Sequence, residues 1–483
     1  MQNATTKQTS WTSRTWLAFV LGKICIVLLK LTHWLRLPWG GTAFPGRVAL
    51  KVDRNIIATL RDRYQGFILV TGTNGKTSTT ALIVKLLQST GFNIVSNPEG
   101  ANMVPGLLTA LLKAESLGST AANGRTRLAI LEVDEGSLLP LSKLLPDVDL
   151  VVVTNLFPDQ LDRYGSVIAL GKRMKQAIAA WPCATLLLNA DDPLVASFGH
   201  DRARTHYFAM DTAEDDPADT NLESDEVALC PICRQNLSFS SRRYAHLGSY
   251  TCGTCGFRSP PAVLIGSPLP TIEGTGSRLN IRTISGHEHA FNSTLTGLYN
   301  GYNIIAAMAT TLLWRPETEL SSLMPVVAAF RAPAGRTEYF SWPDQGKKGT
   351  LVLVKNPTGF NQALTTLAKA KPTTELTATT LVVAINDLPA DGRDISWLWD
   401  TYISAIPEQV SIICSGRRAT DVAVCFKYHG VPLDKIRIVS GVDQAVRSAL
   451  TDSAPNIIFL CNYTVLAPLR QSLIKRGGTT HAA

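Results

Sequence analysis

Residues 67–77 of this chain read FILVTGTNGKT. Apolar residues lead into a turn bracketed by glycines, and the run after Lys76 has apolar residues at helical spacing, so the pattern predicts strand, tight loop and helix. Glycines let backbone N–H groups approach a phosphate, and the helix N-terminus favours its negative charge. In this interpretation Lys76 reaches the terminal phosphates and the Thr77 hydroxyl ligates Mg²⁺.

The spacing of the loop differs from the standard phosphate loop. Val70 stands where that loop has its first glycine, and the glycine here is Gly72. The alternative is an ordinary glycine turn followed by a surface lysine. Because strand, loop and helix are all indicated, we interpret the stretch as a nucleotide site.

Composition describes a globular protein, with 45% hydrophobic and 17% charged residues in a chain of 483. This length allows two or three domains. The net charge of +8 is compatible with nucleic acid or an anionic membrane. The basic residues are spread along the chain, which favours a solvated basic surface, and an anionic lipid-linked substrate also fits. An odd count of nine cysteines argues against a disulfide framework and indicates a reducing, cytoplasmic compartment.

The N-terminal segment, residues 1–39, is apolar over residues 16–37 but interrupted by Lys23 and Lys30. It is too interrupted to predict a spanning helix, and no cleavage site follows it. Two interpretations stay open: a helix docked on its own domain, or a helix that lies at the membrane interface.

Strand and helix patterns alternate from residue 40 to residue 335, which predicts an α/β domain with a parallel, doubly wound sheet. One apolar strand ends in EVDEGS, residues 132–137. Carboxylates at the end of a strand, in a domain with a phosphate loop, are candidate Mg²⁺ ligands.

Four cysteines have the spacing of a zinc site. Cys230 and Cys233 are followed by eighteen residues and then by Cys252 and Cys255. This pattern predicts a closed tetrathiolate zinc ribbon, structural and not catalytic, inserted at residues 222–262. The alternatives are a nucleic-acid-binding ribbon and a thiol-redox pair; the paired spacing favours zinc.

The alternation starts again at residue 345 and predicts a second, Rossmann-like α/β domain over residues 345–483. Pro333-Ala334-Gly335-Arg336 marks the boundary, and Arg336 there is placed to clamp phosphate across the hinge. Polar loops such as Lys355-Asn356-Pro357 follow the strands of this domain. In such sheets ligands bind at the carboxyl ends of strands, so we expect these loops to face the cleft.

The phosphate loop resembles that of Mur ligases and folylpolyglutamate synthases. Motifs in the same order support this: Thr154-Asn155, Asn189-Ala190-Asp191-Asp192-Pro193, residues 297–303 and Gly335-Arg336. Such enzymes phosphorylate a carboxylate with ATP and let an amine attack the acyl phosphate. The resemblance implies the following nucleotide and magnesium ligands: Thr73, Asn74, Gly75, Lys76, Thr77, Asn300 and Arg336 for ATP, and Thr77 and Glu132 for Mg²⁺.

The four-cysteine insert and DGRDISW, residues 391–397, are similar to the MurT family, the Mur-ligase-like subunits of lipid II isoglutaminyl synthase. The family implies a GatD-like class I glutamine amidotransferase partner, lipid II as substrate at the inner face of the plasma membrane, and amidation of the α-carboxylate of D-glutamate in peptidoglycan synthesis. Asp394 would complete the partner's Cys–His pair, because a carboxylate orients the imidazole. The alternative is that Asp394 only caps the following helix.

Departures from ordinary ligases favour ammonia over an amino acid as the nucleophile. Gln160 replaces a metal-binding histidine, Lys355-Asn356-Pro357 replaces a stretch with aspartate and histidine, and Lys172 and Lys175 are only near the position of the carbamylated lysine. A second Mg²⁺ is therefore in doubt. Two rival hypotheses are a stand-alone Mur or folylpolyglutamate-type ligase and a nucleic-acid-binding ATPase.

Overall fold

The structure is a computed structural model that describes residues 11–34, 41–97, 101–116, 127–159, 165–211, 229–269, 277–331, 333, 337–369, 379–403, 406–407 and 409–481. The strands, in chain order, are β1 Gly66–Thr71, β2 Asn93–Ser96, β3 Arg127–Glu132, β4 Leu150–Val153, β5 Thr185–Asn189, β6 Thr205–Met210, β7 Ser238–Tyr244, β8 Leu247–Thr251, β9 Leu264–Leu269, β10 Ser277–Thr283, β11 Glu288–Ser293, β12 Thr337–Trp342, β13 Lys347–Leu353, β14 Thr379–Ala384, β15 Ser411–Ser415, β16 Ile436–Ile438, β17 Asn456–Cys461 and β18 Thr479–His481.

The α-helices are α1 Ser13–Trp34, α2 Phe44–Val52, α3 Ile56–Arg61, α4 Lys76–Ser89, α5 Val104–Ala114, α6 Leu138–Ser142, α7 Val167–Ala179, α8 Pro193–Ala196, α9 Leu298–Trp314, α10 Leu320–Ala329, α11 Pro357–Lys369, α12 Ala419–Tyr428, α13 Val442–Thr451 and α14 Tyr463–Lys475. Short 3₁₀ turns lie at Glu135–Ser137, Ser197–Gly199, Pro343–Gln345, Ser396–Asp400 and Leu433–Lys435.

The first sheet has nine strands in the order β11-β10-β9-β6-β5-β4-β1-β3-β2. From β2 through β9 every pairing is parallel, whereas β9, β10 and β11 pair antiparallel. The predicted doubly wound parallel sheet is therefore confirmed, with an antiparallel extension at one edge. Side chains alternate across it: Phe67 and Leu69 of β1 join one core cluster, and Ile68 and Val70 join the other.

The second sheet has seven strands in the order β16-β15-β14-β17-β13-β12-β18. It is parallel from β16 to β13 and antiparallel at β12 and β18. Core residues of β14 again alternate between two clusters, one with α12 and the other with α13 and α14. This confirms a second three-layer α/β unit; the exact domain boundaries stay predictions.

The four-cysteine segment lies between β6 and β9 and contains the two-stranded antiparallel hairpin β7–β8. The insert thus leaves the first sheet and returns to it at adjacent parallel strands, since β6 pairs with β9. A ribbon placed in this way extends the domain without interrupting its sheet.

Candidate nucleotide site and zinc centre

The loop between β1 and α4 has two positions that only glycine fits. Gly72 has φ +124°, and a Cβ there would lie 2.3 Å from Thr154 Oγ1. Gly75 has φ +85°, and a Cβ there would lie 2.0 Å from Asn303 Oδ1. The left-handed backbone and the close neighbours both exclude a larger side chain. The predicted strand, glycine loop and helix are present, and backbone N–H groups at the start of α4 are suited to an anion.

Lys76 is buried, and its Nζ donates hydrogen bonds to the carbonyl oxygens of Gly72 and Thr73 and to Glu135 Oε2 at 2.9 Å. Burial lowers the pKa of Lys76, but the carboxylates of Glu135 and Glu132 outweigh it and raise that pKa. The ammonium is therefore held protonated beside the loop. Phosphate oxygens are suitable replacements for the carboxylate that it binds in this structure.

Glu135 belongs to the acidic run of residues 132–137 that was predicted to bind Mg²⁺, but its contact with Lys76 was not predicted. Burial raises the pKa of Glu135, and the neighbouring cations Lys76 and Lys355 outweigh it and lower that pKa. Glu132, the predicted Mg²⁺ ligand, is buried, and its Oε1 accepts a hydrogen bond from Asn102 Nδ2 at 3.1 Å. A compact acidic group thus lies next to the lysine, a donor set that suits Mg²⁺; the role of Glu132 stays a prediction.

Thr73 and Asn74 bind the segment that follows β4. Thr73 Oγ1 accepts a hydrogen bond from the Phe157 amide at 3.0 Å and donates to its carbonyl oxygen at 3.3 Å. The Asn74 amide donates to Asn155 Oδ1 at 2.8 Å. The Thr73 side chain is thus committed to positioning the loop, since both of its bonds go to protein.

Two asparagines of α9 approach the loop. Asn300, a predicted nucleotide ligand, donates from Nδ2 to the Thr296 carbonyl at 2.8 Å and accepts from Asn303 Nδ2 at 3.1 Å. Asn303 Oδ1 accepts from Thr79 Oγ1 at 3.2 Å and faces Gly75. Asn303 was not predicted as a site residue. The signal was its spacing of three from Asn300, which places both on one helix face.

A cleft lies between the two sheets, with Asn74, Gly75 and Asn300 on one wall and Gly359 and Gln362 on the other. Of the polar loops expected at the cleft, the loop that follows β13 lines it, whereas the loops at residues 386–387, 415–418 and 462–464 do not. Two contacts of the loop that follows β13 reach across: Asn356 Nδ2 donates to Asn74 Oδ1 at 3.1 Å, and Lys355 Nζ pairs with Asp159 Oδ2. Arg336 and Gln160 lie outside the described residues.

Lys172 and Lys175 are exposed on α7 and line a separate cleft with Pro231 and Arg234 of the cysteine insert. Neither lines the nucleotide cleft. The sequence interpretation that these two lysines lie only near the position of the carbamylated lysine stays a prediction.

The four cysteines meet as predicted. Their sulfur atoms all lie within 4.8 Å of one another, with Cys230 Sγ 3.6 Å from Cys255 Sγ and Cys233 Sγ 3.4 Å from Cys252 Sγ. In a tetrahedral site with Zn–S bonds of about 2.3 Å, sulfurs are about 3.8 Å apart. The cluster therefore fits a structural Zn²⁺ held by four thiolates.

The hairpin of the zinc ribbon reaches back to the nucleotide site, which the sequence did not reveal. Tyr244 lines the cleft, with its ring 5.8 Å from that of Phe157, and the His246 ring is 4.9 Å from Phe157. His246 Nε2 is 3.3 Å from Asp192 Oδ2. The backbone amide and carbonyl of Phe157 both form hydrogen bonds with the Thr73 hydroxyl. The ribbon therefore supports the phosphate loop through the segment that contains Phe157.

Asp191 anchors the same hairpin. Its Oδ2 accepts from the Met210 amide at 2.9 Å and from the Tyr302 hydroxyl at 2.8 Å, and its backbone oxygen accepts from the Gly248 amide at 2.9 Å. Burial raises the pKa of Asp191 to about 6, although Arg243 at 3.6 Å opposes this shift.

Asp394 has a different setting. It is exposed, and its Oδ1 accepts a hydrogen bond from the Ser396 amide at 2.8 Å. The predicted helix after it is a 3₁₀ helix that ends at Asp400. Asp394 also borders a groove with Trp399 and Val424, which are 48% and 41% exposed. The N-cap position of the 3₁₀ helix is Ile395, so the contact between Asp394 and the Ser396 amide is a local turn contact beside the helix start, and it uses one carboxylate oxygen.

The Mur ligase middle domain matches residues 70–243, and the MurT ligase C-terminal domain matches residues 353–466. The lipid II isoglutaminyl synthase (glutamine-hydrolyzing) subunit MurT of Streptococcus pneumoniae is 34% identical over 438 residues, which cover 90% of this chain and 93% of that protein. The chain belongs to the MurT family. The MurT subunit of Staphylococcus aureus strain COL is 29% identical over 438 residues, which again cover 90% of this chain and 93% of that protein.

Solved structures agree with a Mur ligase fold for this MurT-family chain. The pseudomurein peptide ligase type C of Methanothermus fervidus has a TM-score of 0.64 at 20% identity, covering 85% of this chain and 79% of that one. MurF ligase of Thermotoga maritima in complex with ADP has a TM-score of 0.60 at 13% identity, covering 89% and 85%. At these identities the likeness establishes the fold alone.

Proposed function

We propose that this chain is the synthetase subunit of a lipid II isoglutaminyl synthase. It amidates the α-carboxylate of D-glutamate in the lipid II stem peptide to D-isoglutamine, using ATP and ammonia from a glutaminase partner. The observation that carries the proposal is the buried, protonated Lys76 in a glycine loop that faces the interdomain cleft. The MurT name of relatives that align over 90% of the chain supports the choice of reaction.

ATP, when bound, supplies the phosphoryl group that turns the carboxylate into an acyl phosphate. For this, Lys76 and the amides at the start of α4 would hold the phosphates, and Thr77 and Glu132 would hold Mg²⁺. Asn74 and Gly75 border the same cleft. Arg336 is proposed to contact phosphate from the hinge. Closure of the second domain over this cleft would exclude water from the reactive acyl phosphate.

The nucleophile is proposed to be ammonia. Lys355, which stands where the ligases have an aspartate and histidine stretch, pairs with Asp159 near the phosphate loop. A cation in this position does not suit a second metal ion, and ammonia needs no recognition site for a large amine. These features favour amidation over the stand-alone attachment of an amino acid.

The partner is proposed to be a GatD-like class I glutamine amidotransferase that docks at the groove beside Asp394. Trp399 and Tyr428 are 48% and 73% exposed, and their rings lie 6.1 Å apart at this surface. Exposed aromatic side chains are typical anchors of protein interfaces. Asp394 would then orient the partner's catalytic histidine and stabilise its cation. We place the complex in the cytoplasm, at the inner face of the plasma membrane where lipid II is found.

The test measures amidation of a lipid II substrate by mass spectrometry, with ATP and either ammonium alone or glutamine plus the partner. We expect ammonium to sustain the reaction without the partner. Lys76→Met should reduce turnover about 100-fold, because a preorganised cation at the phosphates is lost. Lys85→Met is the matched control, since Lys85 is exposed on the same helix.

Two results would count against the proposal. A product that carries an added amino acid, formed without partner or ammonia, would identify a stand-alone ligase. Full turnover in Lys76→Met, with Lys85→Met also active, would remove the phosphate loop from the mechanism.

A further inference from the structure

Helix α1 has two apolar faces. Thr15, Ala18, Phe19, Gly22 and Ile26 are buried against the domain. On the opposite face the exposed fractions are as follows: Leu17 53%, Ile24 48%, Val27 64%, Leu28 44% and Leu31 49%. With 3.6 residues per turn these five lie within an arc of about 100°. We call these five residues the exposed face of α1.

The buried face is fixed to the domain by packing and by polar contacts. A Cβ on Gly22 would lie 2.7 Å from Leu112 Cδ1, so α1 packs closely on α5. Thr15 Oγ1 donates to Asp53 Oδ2 at 2.6 Å, and Lys23 Nζ donates to the Glu115 carbonyl oxygen. The helix is therefore held along the surface of the domain by contacts at several points.

Length and composition alone would allow a membrane span. Among the described residues, one helical stretch, Ser13–Thr32, is long and apolar enough to cross a membrane, and 28% of it is buried. A spanning position would require α1 to leave the contacts with Leu112, Asp53 and Glu115. The docked position keeps those contacts and still leaves one apolar face exposed.

An exposed apolar face of this size calls for a covering surface. The charge of the region indicates which kind. The first 52 residues contain seven Lys and Arg residues and no Asp or Glu. On the helix, Lys30 lies beside one margin of the exposed face and Arg14 beside the other. Aliphatic side chains flanked by cations complement a bilayer with anionic headgroups.

A second copy of the chain is a poorer occupant. A symmetric contact through this face would bring the same basic segments together. Because the first 52 residues offer no carboxylate side chain, that segment could not neutralise them. Docking on a lipid surface does not bring like charges together, since anionic headgroups supply the negative charge.

We propose that the exposed face of α1 docks on an anionic lipid bilayer, with the helix parallel to the membrane surface. Leu17, Ile24, Val27, Leu28 and Leu31 enter the boundary between headgroups and acyl chains, and the basic residues contact phosphate groups. The inference does not rest on the proposed amidation. It adds a docking surface that would keep the cleft near a lipid-linked acceptor.

The test is co-sedimentation of the full chain with vesicles of equal parts phosphatidylcholine and phosphatidylglycerol, free of any lipid-linked peptide. The double variant Val27→Gln/Leu31→Gln should bind at least about tenfold more weakly, because two aliphatic side chains that would enter the bilayer are replaced by polar ones. The matched control is Ile284→Gln/Leu433→Gln, since these residues are 73% and 66% exposed elsewhere. Pure phosphatidylcholine and high salt should each weaken binding of the wild-type chain.

Equal vesicle binding by the wild-type chain and the double variant would overturn the proposal, as would no binding by either. Light scattering of the chain, alone and with its partner, measures whether the same face holds a dimer or a complex together. A wild-type dimer or complex that dissociates in the double variant would identify the face as a protein interface and overturn the lipid assignment. Since the vesicles contain no substrate, failure here is separate from failure of the amidation assay.

Discussion

The nucleotide cleft and the Asp394 groove differ in how complete they are within one chain. At the cleft, Lys76 is paired and buried, Thr73 is bonded to Phe157, and both domains contribute contacts. Asp394 is exposed, with a hydrogen bond only two residues along the chain to Ser396. Buried contacts therefore arrange the residues of the cleft within this chain, whereas the exposed carboxylate of Asp394 is left open to a second protein, as the proposed function requires.

The largest expected effect tests the groove. Asp394→Asn should reduce glutaminase activity of the complex about 1,000-fold, because the amide no longer stabilises a histidine cation. Nucleotide affinity should stay at the wild-type value, since the cleft does not include this residue. The measurement is glutamate release from glutamine, with nucleotide binding followed by calorimetry.

Asp434→Asn is the matched control, because Asp434 is exposed in a 3₁₀ turn and does not line the groove. A pull-down with the partner checks that each variant still assembles. Unchanged glutaminase activity in an intact Asp394→Asn complex would leave that residue with its local contact to Ser396 alone.

The second prediction concerns the buried carboxylate of Asp191 and the pH dependence of the free energy of unfolding. The pKa of Asp191 in the folded chain is about 6, above the ordinary 3.8, so the folded chain binds this proton more tightly than the unfolded chain. Its contribution to the free energy of unfolding therefore decreases as the pH rises from about 4 to about 6, by up to about 3 kcal/mol, and is constant above that range. Asp191→Asn should remove this slope.

Urea unfolding at several pH values measures the effect. The comparison is the difference between Asp191→Asn and wild type, with Asp434→Asn as the exposed carboxylate control. If the Asp191→Asn curve keeps the wild-type slope, this carboxylate does not titrate in the range inferred from its burial.

The smallest expected effect is the loss of nucleotide affinity when the zinc ribbon is disrupted. Cys230→Ser should release zinc and weaken nucleotide binding about tenfold, equivalent to roughly 1.4 kcal/mol. The reason is that the ribbon hairpin places Tyr244 and His246 against Phe157, which holds Thr73 of the phosphate loop. Zinc content is measured by mass spectrometry and nucleotide affinity by calorimetry.

Cys183→Ser is the control, since Cys183 is exposed and outside the four-cysteine cluster. Restoring zinc to a chelator-treated wild-type chain should restore affinity. A zinc-free chain with wild-type affinity would show that the ribbon supports only its own insert.

Much of the fold was predictable because its signals are local. The run of residues 67–77 specifies a strand, a glycine turn and a helix through neighbours in sequence, and the structure has all three. The four cysteines were predictable for a related reason: each pair forms its own tight turn. Strand β6 was not predicted from the sequence, and the helix predicted from residue 396 is a 3₁₀ helix that ends at Asp400. Both segments are only five or six residues long and rich in apolar side chains, and short apolar runs do not distinguish strand from helix.

By itself, the sequence predicted the strand, glycine loop and helix around Lys76 and Thr77, the four-cysteine cluster and the α/β architecture, all of which the structure has. Tertiary structure alone decided which side chains meet: Glu135 at Lys76, Asn303 at Gly75, Asn356 at Asn74, and the ribbon hairpin at Phe157. The physical reason is distance along the chain. Loop geometry depends on adjacent residues, whereas contacts between remote segments depend on how helices and sheets pack.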